Sequence, residues 1–226
     1  MTACNLIVAD RAAYLLTDMA TYRADGIVTA LKTKVVAHPS LGLAMTATGP
    51  AWDSSQDLMK SWMGELHSAD HASETLPRLV AMLEADRCAD FQRRGLALDD
   101  RAWPPQGVFR IVVALWSESR RRAEGYQFCT DPQFRPQGRV DLTLQPFPRN
   151  GRLDHYLSPS FDAAAFDPER DGLEMLETQR RDYTDPFRGY HTVGGTAQLT
   201  IVDESGVISR PLRQWPDEIG RRIEPR

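Results

Sequence analysis

The chain has 226 residues, 42% of them hydrophobic and 26% charged, with a formal net charge of −4. That length suits one large domain or two small ones, with room for a substantial core. The slight acidity gives no global attraction to nucleic acid or an anionic membrane. No apolar run reaches the roughly 18 residues of a membrane span, and no basic patch followed by an apolar segment marks a signal peptide. Cysteines are odd in number and sparse (Cys4, Cys88, Cys129), which fits a reducing cytoplasm without a disulfide framework. Arginine clusters such as Arg93–Arg94 and Arg120–Arg122 are dispersed among acids and read as solvated faces.

Residues 5–9 and 12–16 are apolar runs around an Asp10–Arg11 turn, and residues 34–37 and 41–47 repeat the arrangement around His38–Pro39–Ser40. Both read as β-hairpins, so the chain's beginning is expected in a sheet. After Pro50, the run Asp53–Ser55 offers a cap to a helix carrying Leu58, Met59, Trp62, Met63 and Leu66 at helical spacing. The stretch from His67 to His71 is expected to break it. A second helix is expected over 73–94, then a loop over 95–107. Residues 109–116 read as a strand buried on both faces, with 125–129 as its partner and 140–144 as another strand. Residues 145–170 have no clear pattern. A third helix is expected over 171–182, a strand over 190–202 containing Gly194–Gly195, a return strand from Val207, and a short helix over 215–223. Strands grouped in hairpins with a few helices indicate a layered α+β arrangement rather than a doubly wound sheet.

Three polar side chains mark the first fifty residues: Thr2 at the start, Asp18 just after the second strand, and Lys34 at the head of the third. Lysine is scarce here, since Lys32, Lys34 and Lys60 are the only three among 27 basic residues. With the Thr46–Gly49 run ending the fourth strand, this opening resembles that of proteasome β-subunits, members of the N-terminal nucleophile (Ntn) hydrolases. The three spacings match without a gap if Thr2 is the first residue of the mature chain. The stretch from Val193 to Gly206 resembles that family's penultimate strand and turn.

The resemblance implies a single Ntn-hydrolase-like domain over residues 1–226, built as a four-layer αββα sandwich of two antiparallel sheets between helices. It implies a threonine-type peptidase or amidohydrolase acting through Thr2 after removal of Met1. A hydroxyl is a weak nucleophile and needs an adjacent base. A free α-amino group, titrating near pH ~8, supplies one on the same residue. Lys34 would lower that amine's pKa by like-charge repulsion, and Asp18 would hold Lys34. Thr48 or Gly49 would supply the oxyanion donor. Lys32 and Thr46 would line the specificity pocket and favour an acidic residue before the cut. No cofactor or metal is implied. The expected partners are a peptide or amide substrate and further copies of the chain, with a ring possible.

Other readings stand beside this one. Where the family carries Asp and Ser before the Gly-Gly pair, this chain has Tyr190 and Val193, which favours a non-catalytic, structural or assembly subunit unless another network, with His191 as a candidate, replaces them. Thr2, Asp18 and Lys34 also have plain readings as a terminal residue, a turn residue and a strand-edge charge. Cys4 shares a strand face with Thr2 and is an alternative nucleophile. His67 and His71, four apart, have metal-clasping spacing but no third ligand nearby.

Overall fold

The structure, a computed structural model, describes residues 3–48, 52–93, 110–130, 136–141, 144–145, 151–158, 160–185 and 189–225. Strand β1 (Cys4–Val8) pairs antiparallel with β2 (Ala12–Asp18), placing Leu6 opposite Leu15. The Asp10–Arg11 turn closes by a 2.9 Å bond from Ala9 N to Ala12 O. A two-stranded ribbon follows, β3 (Ala20–Tyr22) with β4 (Val28–Leu31). The second hairpin comprises β5 (Val35–His38) and β6 (Leu43–Thr48). Helices α1 (Trp52–Met63) and α2 (Ala69–Arg93) come next. They lead into β7 (Arg110–Ser117), β8 (Arg122–Thr130), β9 (Pro136–Asp141) and β10 (Leu144–Gln145). Helix α3 (Arg170–Asp182) precedes the last hairpin, β11 (Thr196–Asp203) and β12 (Gly206–Gln214).

The strands form two five-stranded antiparallel sheets, ordered β10-β1-β2-β11-β12 and β5-β6-β7-β8-β9. Period-two alternation sorts their side chains into separate cores. In β7, Ile111, Val113 and Leu115 pack with Met59, Trp62, Leu76 and Leu79 of α1 and α2. The alternate residues Val112, Ala114 and Trp116 join Cys4, Leu6, Ala13 and Leu15 between the sheets. On the far side of the first sheet, Ile7, Leu16 and Leu199 pack against Met175 and Leu176 of α3. Seven of the eight β7 residues are buried, because this central strand is covered on both faces. A reciprocal amide pair ties β1 to α3: Asn5 Nδ2 donates to Gln179 Oε1 at 2.9 Å and Gln179 Nε2 to Asn5 Oδ1 at 2.7 Å.

Several expectations are corrected. Helix α2 starts at Ala69, not 73, because Ser68 Oγ accepts the N–H of His71 at 3.0 Å and caps the first turn. His71 therefore lies inside the helix, its ring stacked on His67 at 3.9 Å, and the described residues hold no cluster of three metal-capable side chains. The strand expected over 190–202 begins only at Thr196, past the glycine pair. The tail expected as a helix over 215–223 is extended and turned. Its backbone groups bond to the ribbon instead: Val28 N donates to Arg221 O and Gly220 N to Val28 O, both at 2.9 Å. The expected loop over 95–107 lies outside the described residues.

An ionic network fixes α2 to the β7–β8 hairpin. Asp70, in the first turn of α2, accepts from Ser117 Oγ at 2.6 Å and Arg120 NH2 at 2.9 Å. Arg120, Arg122 and the Tyr126 hydroxyl all donate to Glu124. Burial opposes the Glu124 charge, but these donors outweigh it and bring the carboxyl from an ordinary 4.5 to about 2. A depressed carboxylate stabilises the fold above its unfolded pKa and loses that contribution as pH falls through the folded value. Unfolding midpoints are therefore expected to drop between pH 4.5 and about 2, with a shallower drop in Glu124→Gln. Denaturant titrations at stepped pH check this, and equal slopes for the two proteins would contradict it.

Candidate active site

The site grows from the end of β2. Asp18 is that strand's last residue, and beyond it the chain bends into the ribbon. The Asp18 side chain is fully buried and collects four N–H donors. Oδ1 accepts from Ala3 N at 2.8 Å and Lys34 Nζ at 2.9 Å. Oδ2 accepts from Gly194 N at 3.1 Å and Ala20 N at 3.3 Å. Four donors occupy the lone-pair sites of one carboxylate, so a single side chain joins β1, the β2–β3 bend, the head of β5 and the Gly194–Gly195 turn.

Lys34 immediately precedes β5 and is only 1% exposed. Burial pushes its ammonium pKa down, and Asp18 acts against that through charge and a hydrogen bond. Among the described residues the lysine is a desolvated point charge paired with Asp18, a setting in which lysine chemistry is readily tuned. The segment carrying it is anchored on both sides. Thr33 Oγ1 donates to Gln198 Oε1 at 2.9 Å, and Gln56 of α1 donates to Thr33 O at 3.0 Å.

The glycine pair is required by close approach. A Cβ on Gly194 would sit 2.7 Å from both Asp217 Oδ2 and Ile223 Cδ1. Gly195 has φ +81°, and a Cβ there would lie 2.9 Å from Leu31 and 3.1 Å from Ala20 N. Gly194 O returns the contact by accepting from Met19 N at 3.2 Å and Ala20 N at 3.0 Å.

The remaining candidates divide. Asp18 and Lys34 meet, and Ala3, which follows Thr2 in the sequence, is held by the same carboxylate. Thr2 and Gly49 themselves lie outside the described residues. Thr46 is fully buried, in register with Val35, and its Oγ1 has no hydrogen-bond partner among the described residues. Thr48, 4% exposed, ends β6 opposite Arg110. Lys32 is half-buried, and its backbone N donates to Met19 O at 2.9 Å. Cys4 is fully buried and desolvation raises its thiol to about 12, so it is no thiolate near neutrality and makes a poor nucleophile.

Tyr190 and Val193 do not join Asp18. The Tyr190 hydroxyl donates to Ala24 O at 3.1 Å, and Val193 is buried in the core beside α3. His191 Nδ1 lies 3.0 Å from Tyr183 O, facing α3's end. The residues that sequence reasoning missed are Arg180 and Asp217. Asp217 Oδ2 accepts from Gly195 N and Arg180 NH1, both at 2.7 Å. The available signal was only an acid in the tail, 22 residues past Gly195, and nothing local in it names a partner.

Two antiparallel five-stranded sheets with few helices and a solved neighbour agree on a proteasome-like Ntn-type architecture, at the level of overall fold. That neighbour is the Anbu (Gly-1) mutant from Hyphomicrobium sp. strain MC1, similar with a TM-score of 0.61 over 96% of this chain and 89% of that one. Identity is 11%, so the likeness concerns the fold alone. No family model matches the chain, and no curated protein matches it by sequence. Among the described residues no helix is long and apolar enough to cross a membrane.

Proposed function

We propose that this chain is an N-terminal nucleophile hydrolase that cleaves peptide or amide bonds with Thr2 after loss of Met1. The observation that carries this reading is the shared oxygen: Asp18 Oδ1 holds both Ala3 N and Lys34 Nζ. Thr2 is the residue bonded to that Ala3 nitrogen in the sequence. In this reading its α-amine takes the hydroxyl proton as Oγ attacks the carbonyl carbon. The C–N bond then breaks, the proton passes to the leaving amine, and water hydrolyses the resulting ester. Lys34 lowers the amine's pKa by like-charge repulsion, so that more of it is neutral at pH 7. The backbone at Thr48 or Gly49 donates to the oxyanion. Lys32 and Thr46 belong to the pocket before the cut and favour an acidic side chain there. The stacking of α1 and α2, the two sheets and α3 supports the four-layer αββα sandwich, and assembly of several copies goes with this reading.

A second reading, a non-catalytic subunit of the same fold, is favoured by Val193. Its side chain is fully buried in an apolar core and offers no hydrogen bond where the family has a serine. One experiment separates the two. Intact-mass measurement is expected to find the chain lacking Met1, and a threonine-directed electrophile to add once, with the adduct lost in Thr2→Ala. Retained Met1, or no adduct on a chain that begins at Thr2, would favour the structural subunit.

A further inference from the structure

The C-terminal tail carries a buried ion pair on the far side of the turn that holds Asp18. Asp217 and Arg180 are each 4% exposed in their side chains. Arg180 NH1 and NH2 donate to Asp217 at 2.7 and 2.9 Å, and NH1 also donates to Val193 O at 3.0 Å. The Trp215 ring covers the guanidinium, its centroid 4.9 Å from Cζ. The pair is bidentate, desolvated and capped by an aromatic face, which gives it a fixed geometry. Asp217 Oδ2 receives the N–H of Gly195 at 2.7 Å, while the adjoining N–H of Gly194 goes to Asp18 Oδ2 at 3.1 Å. Two successive backbone donors are thus gripped from opposite sides by two carboxylates.

We infer that Asp217, with Arg180, is a positioning residue for the Asp18–Lys34 pair. It fixes the Gly194–Gly195 turn, and that turn fixes the carboxylate. The rest of the tail supports the same geometry. Ile223 packs with Ala20, Val28 and Leu31 of the ribbon, and Gly194 O holds Met19 N and Ala20 N beside Asp18. A freed Asp217 would release Gly195, and the carboxylate would lose its fixed donor. Reacting groups misplaced by about 1 Å lose on the order of 100-fold in rate. The inference rests on the hydrolase reading only for its effect on rate, since its structural half concerns Lys34.

The test uses Asp217→Asn and the double variant Arg180→Met/Asp217→Leu in the full chain. Asp217→Asn leaves Arg180 buried without its counter-charge. The double variant removes both charges and keeps apolar bulk, a replacement that cores often accept. Lysine-selective isotope labelling gives three NMR signals, because the chain has three lysines, Lys32, Lys34 and Lys60. In the folded variants the Lys34 titration is expected to move from its wild-type midpoint. Labelling at Thr2 should fall about 100-fold with a displaced pH profile. Folded variants with unchanged Lys34 titration would overturn the inference. Loss of the fold in both would overturn it too, by making the clamp a requirement of the whole molecule. A wild-type chain that never labels overturns the hydrolase reading, and the Lys34 signal still decides the positioning role.

Discussion

Replacing Asp18 by asparagine is expected to destabilise the protein by about 3–5 kcal/mol, the range for breaking a buried pair by removing one partner. The shape barely changes, so packing is not the cause. Four N–H donors converge on the two carboxylate oxygens. An amide offers one acceptor oxygen and one NH2 group. Whichever way it turns, two donors face another donor, and in both orientations the buried Lys34 ammonium loses its counter-charge. Urea unfolding should show a lower midpoint with an unchanged slope. A loss under about 1 kcal/mol, the scale of an exposed pair, would mean that Asp18 does not hold these strands together. On the hydrolase reading, activity should fall as well when the amide turns its NH2 toward Ala3 N.

Lys34→Met is expected to behave differently, and the contrast separates stability from chemistry. Methionine replaces the lysine stem with an unbranched apolar chain of similar reach. Asp18 then keeps three backbone donors, from Ala3, Ala20 and Gly194. The desolvation of an ammonium, which already pulls the Lys34 pKa down, no longer opposes folding. The stability loss should therefore be smaller than for Asp18→Asn. On the hydrolase reading, the rate of hydrolysis or of Thr2 labelling at pH 7 should fall, because less of the α-amine that serves as the base would be neutral. On that reading its pH profile should move to higher pH, because the α-amine would lose the cation proposed to lower its pKa. Paired unfolding and single-turnover measurements on the two variants check the ordering. Equal stability losses with equal residual activity would show that Lys34 is only a structural counter-ion.

Much of the scaffold was legible in the residues because its signals are local. Apolar runs along 5–9 and 12–16 around the Asp10–Arg11 turn are statements about neighbours, and β1 and β2 follow them. The α3 helix matches the reading of 171–182 to within a residue. The ribbon of β3 and β4 was not legible, as its strands are 3 and 4 residues long, too short for a period to emerge. The start of α2 was missed because Ser68 was passed over as its cap. The tail expected as a helix instead bonds its backbone groups to the distant ribbon, a pairing that no local pattern signals.

By itself the sequence determined the two opening hairpins, the scarcity of lysine, and the spacing that puts an acid and a lysine at strand ends. Only the tertiary structure decided what these side chains touch. Asp18 meets Gly194 across a separation of 176 residues, and Asp217 meets Gly195 across 22. Turn and strand preferences act over a few neighbours along the chain. A buried carboxylate takes whichever donors the packing of separate layers brings to it, and no local pattern records that choice.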